Sequence, residues 1–219
     1  MNLPLLLYIK ETDSIKYLGV TVDRDLKWNS HISGVKKKAS AGIACLRKIS
    51  PSIPINTRKL LFNALVRPHL DYCSVVWHAC SSKLKDRVES IQNYGMRVIL
   101  GKPPRTPSSP LRSELGWTTL EQRREELMLV QVHRSIIKTA PKYLQELFTK
   151  NSEHSSRQAQ VTTHGQDNLH LPRPSTELLR KSFSFQGALK YNALPQELKK
   201  TKTVPAFKNI IHKLFSNCN

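Results

Sequence analysis

Two groups of side chains have the types and spacing to do chemistry. His69-x3-Cys73-x4-His78-x-Cys80 places four soft metal ligands close together in the chain. On one continuous helix His69, Cys73 and Cys80 would fall within about 40° of one another. Phe62, Leu65 and Val76 share that stripe, which makes it equally the buried face of a helix. Structural zinc sites usually take their ligands from turns carrying Cys-x2-4-Cys knuckles, and the chain has none. The stretch therefore reads as packed core, with no metal. The second group is Asp23 and Asp25, a close carboxylate pair ahead of a proline-rich stretch at residues 102–110. Two-metal phosphoryl transfer needs carboxylates converging on both cations, whereas acids at Asp23-Arg24-Asp25 read as turn formers. Gly19, Gly34 and Gly42 make no phosphate-cradling loop, and Gly-x-Ser-x-Gly is absent. No catalytic residue and no cofactor are expected.

What remains is charge. Lys and Arg number 35 against 16 Asp and Glu, a net +19 over 219 residues. The excess runs along the whole chain, so a basic tail on a neutral body is excluded. A polyanion neutralises such a surface most naturally, and nucleic acid is the first candidate partner. Lys36, Lys37, Lys38, Arg47 and Lys48 crowd one segment with few acids nearby; phosphate contacts by such residues give affinity without reading sequence. Arg58, Lys59, Arg97, Arg123 and Arg124 complete the candidate set. Arg123 and Arg124 are the weaker members, because Glu121, Glu125 and Glu126 stand beside them to pair. Trp28, Trp77 and Trp117 each adjoin an apolar run and read as core.

The elements that must position these cations are mostly helical. Leu5–Ile9 and Ile15–Val22 are β-rich runs with a turn at Asp23-Arg24-Asp25, which predicts a short N-terminal antiparallel hairpin over 1–29. From Ser30 the apolar positions Ile32, Val35, Ala39, Ile43 and Leu46 recur at steps of three or four, which predicts a helix closed by Pro51 and Pro54. Asn56 or Thr57 opens a second helix with Leu61, Leu65, Tyr72 and Val76 inward, kinked or restarted at Pro68. A third runs from about Ser82 (Leu84, Val88, Ile91, Val98) to Gly101. These form a helical bundle over 30–101. Residues 102–117 read as a Pro-rich linker, with four prolines in KPPRTPSSP. A helix at about 118–139, opened by Thr118 or Thr119, buries Leu120, Leu127, Val130 and Ile137. Pro141 then begins a short one through Leu144 and Leu147, the two filling 118–149. Residues 150–183 read as flexible, and 184–219 as short C-terminal helices. The fold class is mostly α, with a loosely ordered C-terminal region.

Four scattered cysteines read as reduced thiols, and no stretch approaches the roughly 20 apolar residues of a membrane span. Leu3–Ile9 lacks a basic flank and a cleavage site, so it reads as a strand and not a signal peptide. An intracellular protein, nuclear or cytoplasmic, is expected.

The order of segments resembles the C-terminal part of non-LTR (LINE, Jockey-like) retrotransposon reverse transcriptases. The resemblance begins with Ile15-Lys16-Tyr17-Leu18-Gly19-Val20, Asp23, Leu26-Lys27-Trp28, His31-Ile32 and Lys36-Lys37-Lys38. It continues through Arg58-Lys59-Leu60-Leu61-Phe62, Leu65-Val66-Arg67-Pro68, Leu70-Asp71-Tyr72 and Trp77. Glu89 to Arg97 (ESIQNYGMR), Leu115-Gly116-Trp117, Arg123-Arg124, Pro141-Lys142-Tyr143-Leu144 and Asn192-Ala193-Leu194-Pro195 before Phe207-Lys208 carry it nearly to the end. Tyr191 departs from the pattern, which usually has Trp there. The resemblance implies the last palm hairpin, the helical thumb and the post-thumb region of an RNA-directed DNA polymerase. The family's catalytic Tyr-x-Asp-Asp motif has no counterpart in these residues. On this reading Met1 is an incidental start, and the chain is a non-catalytic piece that grips RNA or an RNA–DNA hybrid independently of sequence. The catalytic core of the parent element is a second expected partner. A helical protein-interaction module and an inert pseudogene-derived fragment are the alternatives.

Overall fold

The computed structural model describes residues 11–154 and 168–216. The expected strand Leu5–Ile9 lies outside them, as do Cys218 and residues 155–167 of the segment read as flexible. The order of elements is β1 (Ser14–Tyr17), β2 (Val20–Asp23), α1 (Asn29–Ile49), α2 (Ile55–Leu65), α3 (Arg67–Asp71), α4 (Ser74–Trp77), α5 (Ser82–Leu100), α6 (Ser108–Leu115), α7 (Leu120–Ile136), α8 (Lys142–Gln145), α9 (Asn151–His154), α10 (Glu177–Arg180), α11 (Phe183–Asn192), α12 (Gln196–Lys199) and α13 (Val204–Ser216). The fold is mostly α with a two-stranded antiparallel N-terminal hairpin, as the pattern predicts. Among the described residues no helix is long and apolar enough to cross a membrane.

The hairpin differs in detail from its expectation. Ile15–Val22 supplies both strands, in the register Tyr17↔Val20 and Ser14↔Asp23. Leu18 (φ 44°) and Gly19 (φ 82°) make the connection; two central residues at positive φ are the turn that matches strand twist. The Tyr72 hydroxyl donates to the Leu18 carbonyl at 2.6 Å and clamps this turn to the end of α3. His31, at the start of α1, accepts the Thr21 N–H on Nδ1 at 3.3 Å and lies between Trp28 and Trp77.

The larger core joins β2, α1, α2, α3, α4, α5 and α6 around Ile32, Ala39, Ile43, Leu46, Phe62, Val66, Leu70, Trp77, Met96 and Ile99. In α1 and α5 the expected apolar steps are the buried ones, save Val98, which is half-buried. Gly101 closes α5 at φ 65°. The second helix buries a different face from the one expected. Phe62, Val66, Leu70 and Trp77 point inward, while Leu65, Tyr72 and Val76 are exposed. The cause is local: the helix restarts at Arg67, with Pro68 in its first turn, and again after Cys73, whose φ is 49°. A single helical phase cannot be carried through two breaks. Residues 102–117, expected as linker, contain α6, whose Leu111 and Leu115 are buried in this core.

A second core lies under the later half of α7, where Leu129, Val132, Ala188, Tyr191, Phe207 and Ile211 meet α11 and α13. Here the expected face is kept only at its start: Leu120 is buried, whereas Leu127, Val130 and Ile137 are half-buried, and Met128, Leu129, Val132 and His133 are buried. The His133 ring stacks on Phe207 with centroids 3.9 Å apart, and its Nδ1 lies 3.1 Å from the Tyr191 hydroxyl. Tyr191 thus buries an aromatic body and gives its polar tip a partner. Leu147 is exposed and Phe148 takes the inward position after α8.

Candidate nucleic-acid interface

Helix α1 runs for 21 residues, contains no Asp or Glu, and carries Lys36, Lys37, Lys38, Arg47 and Lys48. All five are exposed, because the buried residues His31, Ile32, Val35, Ala39, Ile43 and Leu46 hold the opposite face in the core. That separation of faces is what the 3.6-residue period imposes. Gly42 lets α2 come close: a Cβ there would sit 2.6 Å from the Leu65 carbonyl oxygen.

Helix α5 packs parallel to α1 and adds to the same surface. Lys36 and Lys37 share a groove of about 450 Å³ with Arg87 of α5. Farther along, the Arg47 guanidinium donates to the Tyr94 hydroxyl at 3.1 Å. At the C-terminal ends of both helices Arg47, Arg58, Tyr94, Arg97 and Lys102 line a cleft of about 440 Å³ with no carboxylate in its wall. From Lys36 to Arg47 the helix rises about 16 Å, close to five nucleotide steps along one strand of a duplex.

The remaining predicted cations have other partners. Arg58 donates from Nε to the Ile53 carbonyl and from Nη1 to the Ile99 carbonyl, both at 3.0 Å. Lys59 Nζ reaches the Leu115 carbonyl at 3.4 Å, and Arg97 Nε the Thr106 carbonyl at 2.9 Å. Arg58 and Arg97 still line the cleft; Lys59 braces α6. Arg123 pairs with Asp71 and not with the neighbouring Glu residues, donating from Nε to Oδ1 at 2.8 Å and from Nη2 to Oδ2 at 2.6 Å. Arg124 leaves the interface altogether: it is 2% exposed, with its guanidinium 5.4 Å from the Trp77 ring centre. Burial pushes its pKa down, yet a guanidinium stays charged, so Arg124 is a core cation stacked on an aromatic face. Glu125 pairs instead with Lys190. Arg87, Tyr94 and Lys102 were not in the predicted set. Their only sequence signal is placement on the outward side, or just past the end, of α5.

The other candidate chemistry does not assemble. The break at Cys73 takes His69, Cys73 and Cys80 off any common helix. Among the described residues no three His, Cys, Asp or Glu side chains are grouped to hold a metal ion. Burial pushes the Cys80 thiol up, away from a reactive thiolate. Asp25 pairs with Lys27 at 2.7 Å on the surface. The acids of the middle segment are structural: Glu89 accepts from Arg112 at 3.2 Å and from the Leu120 N–H at 2.8 Å, at the N-terminus of α7, where the helix dipole favours a negative charge. Residues that carry the family resemblance recur in such joints. Gln92 Nε2 bonds the Thr118 carbonyl at 2.9 Å. The Asn192 amide exchanges two hydrogen bonds with the Leu169 backbone, at 2.8 and 2.9 Å.

Two curated proteins are similar to this chain. A probable RNA-directed DNA polymerase from transposon X-element of Drosophila melanogaster is 28% identical over 97 residues, 42% of this chain and 11% of that protein. A probable RNA-directed DNA polymerase from transposon BS of the same species is 21% identical over 118 residues, 52% of this chain and 13% of that protein. The matched stretches thus span about an eighth or less of these relatives. No family model and no solved structure matches. Part of the chain is therefore related to a region of transposon RNA-directed DNA polymerases.

Proposed function

We propose that this chain is the thumb and post-thumb portion of a non-LTR retrotransposon RNA-directed DNA polymerase, non-catalytic in itself, and that it grips template–primer nucleic acid through phosphates. The observation that carries the reading is the all-basic exposed face of α1, five cations and no acid in 21 residues, extended by Arg87. Cations on a rigid helix contact successive phosphates at low ordering cost and read no bases, so binding is independent of sequence. RNA and RNA–DNA hybrid are the expected ligands. Strand β1 is exposed along its length, with Ile15, Tyr17 and Leu18 more than half exposed. That apolar patch is the surface offered to the catalytic core of the parent element, and it is also what a protein-interaction module would use.

The test is fluorescence anisotropy of the full chain with a labelled RNA–DNA hybrid at about 50 mM salt, where phosphate contacts count most. Binding that is unchanged by scrambling the hybrid sequence, and weakened in a Lys36→Ala/Lys37→Ala/Lys38→Ala variant, supports the grip. No binding at that salt overturns it in favour of the interaction module.

A further inference from the structure

The cleft at the foot of α1 and α5 is a different kind of feature from the convex helix face beside it. Arg47, Arg58, Arg97 and Lys102 converge on about 440 Å³, with Tyr94 on one wall. Two of the guanidiniums are held in place: Arg58 by the Ile53 and Ile99 carbonyls, Arg97 by the Thr106 carbonyl. The structural explanation for cations here is the pair of helix C-termini they adjoin, and it falls short in magnitude. Each terminus contributes about −0.5 charge, so the two offset about one of four positive charges. Some +3 is left over in a concavity the size of a small-ligand site.

We propose that this cleft binds the terminal phosphate of a nucleic-acid strand, with Arg47, Arg58, Arg97 and Lys102 as donors and Tyr94 beside the end nucleotide. The inference rests on the nucleic-acid reading above and specifies which part of the strand goes where. An internal phosphodiester carries one negative charge. A terminal monoester carries nearly two at pH 7 and presents three strong acceptor oxygens. Converging, partly preorganised guanidiniums with no competing carboxylate discriminate in favour of the second. A concave wall also admits a strand end more readily than a continuous strand, which the open face of α1 suits.

The experiment titrates the full chain by calorimetry with one short single-stranded oligonucleotide in three forms: 5′-phosphate, 3′-phosphate, and hydroxyl at both ends. Arg47→Gln/Lys102→Gln is run beside it; both side chains are exposed, so the fold tolerates the change. One phosphorylated form is expected to bind about tenfold tighter than the hydroxyl form, as one to two charge-assisted contacts would give. That preference is expected to vanish in the double variant and to persist in the Lys36/Lys37/Lys38 triple variant. Equal binding of all three forms overturns the end site while leaving the backbone grip standing. A preference lost equally in the triple variant also overturns it, because the effect is then diffuse charge. No binding by any form removes both readings. Adenosine 5′-monophosphate against adenosine isolates the cleft, since a mononucleotide is too short to track α1; indifference between them counts against the site.

Discussion

Asp71 and Arg123 are 52 residues apart in sequence and form a two-pronged ion pair, with Nη2 to Oδ2 at 2.6 Å and Nε to Oδ1 at 2.8 Å. Both side chains are about three-quarters buried, Asp71 at 23% and Arg123 at 28% exposure. The pair fastens α3 to α7 just where one core gives way to the other, and the Asp71 hydrogen bonds push the Arg123 pKa up. It turns a cation that charge patterning assigns to nucleic acid into a structural one.

Asp71→Asn is expected to destabilise the chain by about 2 kcal/mol, the scale of a charged hydrogen bond with a partly buried partner left behind. Urea unfolding measures it. Arg123→Met should cost a similar amount, and the double variant clearly less than the sum. Additive losses would show that the pair does not couple the two helices.

Two glycines of α1 predict opposite signs for one substitution. Gly42→Ala places a Cβ 2.6 Å from the Leu65 carbonyl oxygen and 3.1 Å from Val66 Cγ2. It should cost about 1–3 kcal/mol by forcing α2 away. Gly34 has nothing within 4 Å of a built Cβ, so Gly34→Ala should stabilise the helix by about 0.5–1 kcal/mol. Thermal unfolding of the two variants is the measurement. Equal shifts would contradict the packing of α1 on α2.

His78 gives a pH dependence. Burial, and then the cations Lys85, Arg124 and Lys190 against Glu121, push its pKa down from the usual 6.5 to about 4. Its Nδ1 is buried without a hydrogen-bond partner. The unfolded chain therefore takes up this proton at a higher pH than the folded one. The stability due to neutral His78 is full above about pH 6.5 and is lost as pH falls toward 4. His31 and His133 are lowered in the same direction, chiefly by burial. The urea midpoint is expected to fall between pH 7 and pH 5, and to fall less in His78→Gln. A midpoint that does not move over that range would contradict it.

How much of this was legible in the sequence follows from where the chain is regular. In α1 and α5 one helical phase runs unbroken, and the period names the inward residues, with Val98 partly so. Positive-φ residues defeat the same reading elsewhere: Leu18 and Gly19 cut one apparent strand into a hairpin, and Cys73 resets the phase before Trp77. In α7 the inward face includes Arg124, Glu126 and His133, which a hydrophobic pattern leaves outside. Their burial depends on Trp77, His212, Tyr191 and Phe207, partners that only the fold supplies. The proline-rich segment hides α6, because Pro107 precedes its first residue and Pro110 falls in its first turn, where proline is tolerated. The basic run of α1 was plain from composition. The cleft was not, since Arg47, Arg58, Arg97 and Lys102 come from three separate stretches.

The central claim is that α1 tracks a phosphate backbone, and the salt dependence of binding tests it most directly. The affinity of the full chain for an RNA–DNA hybrid is measured from about 50 to about 200 mM salt, alongside Lys36→Ala/Lys37→Ala/Lys38→Ala. Each phosphate contact contributes about 0.9 to the slope of log K against log salt. The account predicts a steep slope for the parent chain and one shallower by up to about 3 for the variant. Parallel slopes in the two proteins would contradict it, because the lysines of α1 would then not be the residues that meet the phosphates.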